Sequence, residues 1–482
     1  MKVSKSQIGL VLGPLAFIYI FFFFNAEGLS EASKAILASV AWIAIWWITE
    51  AISIAVTALL PIILFPLSNG MSLSETTASY GHKYIYLYVG GFILAIAIEK
   101  CNLHKRIALS IIKIVGTNIT NIILGFMIAT ALLSMWISNT ASTVMILPMA
   151  MAIVTQLKDN PNTIKNENTL FGKALMLAIA YSASIGGIAT LIGTPTNLVL
   201  AGVVQTTFGV EITFYQWFVF GFPIATVLLF VCWKYLTTYA YKFEQKEFPG
   251  GKEEINQQLK ALGKMSHDEK MVLIVFCCTA FAWITRSFLL QKFIPRIDDT
   301  IISIFFAVLL FVLPSSKKEE RLISWEDAVK LPWGVVLLFG GGMALASGFE
   351  SSGLALWIGN KLIALESVPF FFLLLILIFA VNFLTEITSN IATTAMLLPV
   401  LLSLAPTLGV HPYYLMISAT VAASCAFMLP VATPPNAVVF GSGYLKIEDM
   451  VKKGIWMNLI SIIILTLFVY FMLPLIWDLS EL

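Results

Sequence analysis

Ser138-Asn139-Thr140 and, 251 residues further on, Ser389-Asn390 are where this sequence puts side chains capable of chemistry. Each lies between apolar runs long enough to enter a bilayer: Ile122 to Ile137 and Val144 to Val154 around the first, Pro369 to Leu384 and Ala395 to Leu404 around the second. Amide and hydroxyl dipoles at membrane depth find no bulk water, so such a stretch persists only when buried in protein or lining a wet cavity. Both read as tips of helical hairpins that meet at a site. A second signature follows each pair. Gly193-Thr194-Pro195-Thr196-Asn197 and Thr433-Pro434-Pro435-Asn436 each interrupt an apolar helix. A broken helix leaves N–H groups free at one half-helix N-terminus and C=O groups free at the other half's C-terminus. The N–H ends, with Asn amides and hydroxyls, suit a carboxylate; the C=O ends, with Ser, Thr and Asn oxygens, suit a hard cation. No fixed cation lies at these four elements, so an anionic substrate needs a co-bound small cation to offset its charge.

Absences favour sodium over protons as that cation. Proton coupling usually needs a titratable group inside the membrane. Glu386 is the one acid within a few residues of a signature element, and the equivalent position of the first hairpin is Met135. Glu386 reads as a solvated residue at a hairpin mouth. Glu99 and Glu350 read as interfacial anchors at helix ends, and Trp42, Trp46 and Trp47 as an interfacial or packing face. Gly90-Gly91 and Gly340 to Gly342 read as sites of close helix packing. His82, His104, His267 and His411 fall in or near expected loops without metal-ligand spacing. Five scattered cysteines point to neither disulfides nor zinc.

The elements that must position these residues are membrane helices. With 59% hydrophobic and 12% charged residues the chain is not a soluble protein, and a net charge of +2 gives no reason to expect nucleic acid. The first apolar run, Ile8 to Phe24, lacks a small-residue cleavage site and is taken as a membrane helix rather than a signal peptide. Apolar segments follow at Ala35 to Ile48, Ala51 to Leu67 and Tyr84 to Ile98. A basic amphipathic stretch with Lys100, His104, Lys105, Arg106 and Lys113 comes next and fits an interfacial helix. The expected organisation is an N-terminal helix (1–34), a first repeat (35–240) with an inner hairpin (120–156), a cytoplasmic linker (241–270), and a second repeat (271–482) with an outer hairpin (369–405). Treating the hairpins as re-entrant gives eleven spans. With the N-terminus inside, the basic loops at 100–113, 242–270, 317–330 and 446–453 are all cytoplasmic, as the positive-inside rule asks. The C-terminus, with Asp478 and Glu481, is then outside.

The halves match. The 251-residue offset also relates Gly90 to Gly341, Glu99 to Glu350, Thr143 to Thr394 and Pro148 to Pro399. The Thr-Pro-x-Asn breaks recur at 239, a twelve-residue difference that fits a shorter link before the second broken helix. An odd number of spans per half inverts the second copy, and inverted repeats with paired helix breaks mark a secondary transporter with its site at the midplane. The fold class is therefore all-α integral membrane protein. A membrane-embedded enzyme would need a nucleophile, an acid–base pair or a metal cluster at the core, which the sequence does not offer. A channel does not fit broken inverted repeats.

The doubled Ser-Asn hairpin followed by a Thr-Pro-x-Asn break resembles the divalent anion/sodium symporter family over nearly the whole chain. The resemblance implies transport of succinate, malate, fumarate or related di- and tricarboxylates with sodium ions (Na+). It also implies a homodimer whose transport domain moves elevator-fashion against a scaffold in the lipid bilayer. By position, a first cation site uses Ser134, Ser138, Asn139 and the backbone around Gly193. A second uses Thr385, Thr388, Asn390 and the backbone around Ala432. The carboxylates meet Ser138, Asn139, Thr140, Thr194, Ser389, Asn390, Thr433 and Pro434. This chain departs from the family pattern at Ile391, where a Thr is expected, which puts selectivity among dicarboxylates in question. The expected activity is sodium-driven C4-dicarboxylate uptake. The alternatives are sodium-independent dicarboxylate exchange, or sodium-coupled citrate or sulfate transport. Short loops and compact length fit a bacterial inner membrane.

Overall fold

The computed structural model describes residues 4–116, 118–156, 166–244, 251–317, 320–361, 368–477 and 479. Residues 245–250 and 318–319 of the expected basic loops, and Asp478 and Glu481, lie outside the described residues. Among the described residues the fold is all-α, with one isolated bridge between Pro314 and Arg321. Nine of their helices are long and apolar enough to cross a membrane, and five further apolar stretches are shorter, including Ile119–Ser134, Asp299–Val312 and Phe370–Thr385.

Local sequence sets where these helices start. Ser4, Ser72, Ser266 and Ser324 each form a reciprocal cap with the residue three positions on, which satisfies otherwise orphaned N–H groups. Ala51 to Leu67, expected as one apolar segment, is two pieces, Ile54–Thr57 and Leu60–Leu67. Pro61 stands in the first turn of the second piece, where its missing N–H costs nothing. His104, expected near a loop, is buried inside the helix Leu103–Val115. That amphipathic helix is tied down by Arg106, whose Nε and Nη2 donate to the Glu269 carboxylate at 2.8 and 3.2 Å. Trp46 donates from Nε1 to Gly9 O at 3.0 Å while Trp47 is fully buried, so the tryptophan group is a packing face for the first helix.

Two helical hairpins stand at the centre, Ile119–Ser134 with Asn139–Gln156 and Phe370–Thr385 with Asn390–Thr407. The first broken helix runs Glu167–Ile188 and resumes as Pro195–Phe208; the second runs Pro412–Ala423 and resumes as Pro434–Phe440. The twelve-residue difference is not all in the link. Half of it is a first half-helix that, in the second copy, is shorter relative to its Thr-Pro break. Pro434–Phe440 packs on Glu167–Ile188 and Asn139–Gln156, while Pro195–Phe208 packs on Asn390–Thr407. Each resumed half-helix thus leans on the other half's hairpin or broken helix, and this interlock draws the four elements together. Close approach requires glycine where they cross: a Cβ at Gly186 would overlap the Ala131 carbonyl of the first hairpin. At Gly90 it would overlap Ser303, as expected for a packing glycine.

Candidate ligand-binding site

At each hairpin tip a hydroxyl from the incoming arm meets the asparagine that starts the outgoing arm. Ser134 Oγ lies 2.6 Å from the Asn139 side-chain amide and donates to Ala183 O at 2.7 Å. Thr385 Oγ1 repeats the pattern 251 residues later, toward Asn390 Oδ1 at 2.7 Å and Ala423 O at 3.1 Å. Around Asn139 the oxygens crowd. The position of its side-chain oxygen lies 3.1 Å from Ala183 O and 3.3 Å from Gly193 O, besides Ser134 Oγ. Turning the amide over relieves the crowding: the Asn139 nitrogen then faces Ser134 Oγ, Ala183 O and Gly193 O and shares its two N–H bonds among them. The hydroxyl and carbonyl oxygens gathered around this side chain are hard donors of the kind sodium takes.

The helix breaks are held open by their own asparagines. Asn197 Nδ2 donates to Thr190 O at 2.8 Å and Gly187 O at 3.2 Å. Asn436 Nδ2 donates to Leu429 O at 3.0 Å and Ala426 O at 3.3 Å, the same contacts 239 residues later. The asparagine of each Thr-Pro-x-Asn signature therefore satisfies carbonyls at or just beyond the end of the preceding half-helix and fixes the shape of the break. The two breaks touch, with Thr196 Oγ1 3.0 Å from Ser424 Oγ.

One cavity of about 1050 Å³ lies where the four elements meet. Ser138, Asn139, Thr140, Thr194, Ser389, Asn390, Thr433 and Pro434, the substrate-facing residues expected from sequence, all line it. Thr388 and Ala432 also line it, whereas Ser134 and Thr385 are buried behind it. Gly193 is buried beside them, within reach of Asn139. The Thr388 hydroxyl is engaged with Leu384 O at 2.8 Å and Thr393 Oγ1 at 2.6 Å. Ser138 Oγ accepts from Ala141 N–H at 3.2 Å and Thr433 Oγ1 from Asn436 N–H at 3.3 Å, so these hydroxyls cap the helices that begin at the cavity. The positive ends of Asn139–Gln156, Pro195–Phe208 and Asn390–Thr407 start at its wall, an arrangement that favours an anion. Ile391 is on the wall as well, on the second side, where Thr140 puts a hydroxyl on the first.

Three features were missed or misread. Glu386 is not a solvated residue at a hairpin mouth: it is 3% exposed and accepts from the N–H groups of Phe427, Met428 and Leu429 and from Asn458 Nδ2. Asn458, in the middle of an apolar span, was the signal that a polar partner waited there. Glu99 does more than anchor a helix end, since it lines the cavity. Lys5 and Lys330 line the cavity too, and Lys5 Nζ reaches Ile387 O at 3.5 Å, beside the second hairpin tip. Cations do reach the cavity, from segments far from either signature.

A membrane bundle with doubled hairpin tips and broken helices meeting at one cavity defines a secondary-transporter class of protein. Residues 4–477 match the family described as the sodium:sulfate symporter transmembrane region, and the chain belongs to that family. It is 48% identical over 473 residues to the sodium-dependent dicarboxylate transporter SdcS of Staphylococcus saprophyticus, covering 97% of this chain and 91% of that one. It is 46% identical over 475 residues to the protein of the same name from Staphylococcus aureus strain USA300, with the same coverage. Among solved structures it is similar in fold to the Alcanivorax borkumensis YdaH transporter, with TM-score 0.59 and 14% identity over 84% of this chain and 88% of that one. It is likewise similar to Neisseria gonorrhoeae MtrF, with TM-score 0.59 and 12% identity over 95% and 97%. At such identities these two speak for the fold alone. The chain is a transporter, not an enzyme.

Proposed function

We propose that the protein is a sodium-coupled symporter of C4-dicarboxylates in the inner membrane, working by elevator-type alternating access. The observation that carries this is the recurrence of one oxygen cluster, Ser134–Asn139 and Thr385–Asn390, on either side of a cavity fringed by helix N-termini. Two sodium ions in those clusters, with the carbonyls around Gly193 and Ala432, would supply the positive charge that a dianion needs. Ser138, Asn139, Thr140 and Thr194 would hold one carboxylate and Ser389, Asn390, Thr433 and Pro434 the other. Kinship with two relatives named for sodium-dependent dicarboxylate transport supports the substrate class.

The topology that fits is eleven spans with two re-entrant hairpins, the N-terminus in the cytoplasm and the C-terminus outside, in a homodimer. In it, residues 35–240 and 271–482 form the inverted repeats and 241–270 the linker. Lys5 and Lys330 on the cavity wall then put its opening on the cytoplasmic side. Coupling follows from order. Cation binding closes the tips around the asparagines and makes the charge that the dicarboxylate requires, so neither ligand crosses well alone.

The rival reading within the same fold is dicarboxylate exchange without sodium; citrate or sulfate as the main substrate is a further one. Succinate uptake into proteoliposomes, with and without an inward sodium gradient and with internal dicarboxylate varied, separates symport from exchange. Uptake that rises with the sodium gradient and needs no internal substrate is expected. Uptake indifferent to sodium and dependent on internal dicarboxylate would overturn symport. Competition by citrate and sulfate ranks the substrates.

A further inference from the structure

The two halves lock hairpin to broken helix at the same pair of positions but with different chemistry. In the first half the Thr190 hydroxyl donates to the Met135 carbonyl. The counterparts of these residues, at offsets of 239 and 251, are Leu429 and Glu386. There the Leu429 N–H donates to Glu386 Oε2 at 3.0 Å. The donor is a side chain and the acceptor a backbone oxygen in one half; in the other the donor is backbone and the acceptor a side chain. Glu386 goes further than its counterpart. Its Oε1 accepts from Phe427 N–H at 2.8 Å, Met428 N–H at 3.0 Å and Asn458 Nδ2 at 2.7 Å, and Asn458 Oδ1 takes a second share of the Phe427 N–H at 3.1 Å.

We infer that Glu386 is a positioning residue for the second cation site, clamping the turn of the second broken helix onto the second hairpin tip. A buried carboxylate is stable only when its oxygens are fully hydrogen-bonded or paired. Among the described residues no Lys or Arg pairs with it, and its hydrogen-bond partners are N–H donors. The three backbone donors, Phe427, Met428 and Leu429, belong to the unwound segment that runs on to Ala432, and Thr385, the hydroxyl of the cluster, is the residue next to Glu386. The clamp therefore sets the distance between the hairpin half and the backbone half of the site. The second half carries fewer residues between hairpin and break, and its resumed half-helix Pro434–Phe440 is half as long as Pro195–Phe208, so its turn has less helix to hold it. A charged acceptor, with hydrogen bonds roughly twice as strong as neutral ones, compensates for that.

This rests on the assignment of Thr385 and Asn390 to a cation site, and the test separates the two. Glu386→Gln keeps the shape but turns an NH2 toward one of the backbone donors. Two readouts apply: the sodium concentration for half-maximal succinate uptake, and the sodium-dependent rise in melting temperature of the purified protein. We expect the first to increase roughly tenfold, the loss of one charge-assisted hydrogen bond, with maximal rate at saturating sodium close to wild type. Glu386→Met combined with Leu429→Thr rebuilds the first half's lock and should recover most of what Glu386→Met alone loses. Unchanged sodium dependence in Glu386→Gln, or no recovery in the double variant, would overturn the clamp. Asn390→Ala, read by the sodium-dependent rise in melting temperature, is the control. A shift there with none in Glu386→Gln sinks the clamp alone, while no shift in Asn390→Ala removes the site itself and the clamp with it.

Discussion

Asn139 and Asn390 each join a hairpin hydroxyl to the cavity wall, so their side chains sit between the buried oxygen clusters and the space where a substrate fits. Replacing either with Ala removes the side-chain amide from the cluster, while Ser134 and Thr385 keep Ala183 O and Ala423 O as acceptors, so the loss falls on ligand binding. Asn139→Ala and Asn390→Ala should each abolish or severely weaken succinate uptake, with membrane expression and size-exclusion profile unchanged. Near-normal uptake in both would make the tips merely structural. Ile391→Thr restores a hydroxyl on the second wall and should change the ranking of succinate, malate and fumarate in competition assays more than it changes sodium half-saturation. At this scale the sequence was informative where polarity stood out against apolar surroundings. Ser138, Asn139, Ser389 and Asn390 were legible for that reason, and all four line the cavity. Glu386 was not, because three of its partners are backbone N–H groups 41 to 43 residues away, and backbone carries no sequence signal.

Among the elements, the first broken helix is the stiff member. Glu167–Ile188 is almost wholly buried, and the first hairpin crosses it where Gly186 meets the Ala131 carbonyl. Gly186→Ala should push the hairpin off and cost about 1–3 kcal/mol, read as a lower melting temperature in detergent together with weaker sodium stabilisation. One of the ion pairs that join the halves runs from Lys100 Nζ to Asp327 Oδ2 at 2.7 Å. Burial alone would raise the Asp327 carboxyl, but the hydrogen bonds from Lys100 and Ser324 outweigh it and hold the group at about 2. A depressed carboxylate contributes stability that is fully present above its unfolded value, near 3.9. That contribution is lost as pH falls toward about 2. The melting-temperature difference between wild type and Asp327→Asn should thus be constant from about pH 8 to 5 and shrink below about pH 4. Apolar length announced most of these helices in the sequence. The wider-wound ends at Tyr19–Phe23, Tyr235–Ala240, Arg286–Leu290 and Phe468–Met472 were not foreseeable, since i→i+5 winding has no residue preference strong enough to read.

For the whole molecule, the offsets of 251 and 239 were visible as Gly, Asn and Pro coincidences, and the structure turns them into recurring contacts, Ser134 with Asn139 as Thr385 with Asn390, and Asn197 with Thr190 as Asn436 with Leu429. What the offsets could not disclose is the asymmetry between the copies: a threonine lock in one and a carboxylate clamp in the other, Thr140 on one wall and Ile391 on the other. Those differences depend on which residues meet after folding. The account's central claim is that two like oxygen clusters, one per repeat, each carry a sodium ion across with one dicarboxylate. Its most direct test is the sodium-to-succinate coupling ratio, obtained from the reversal potential of succinate flux in proteoliposomes at fixed sodium and succinate gradients. The account predicts at least two sodium ions per succinate, falling when Asn139 or Asn390 is replaced in any variant that still transports. A ratio of one, or a flux whose reversal ignores the sodium gradient, would contradict it.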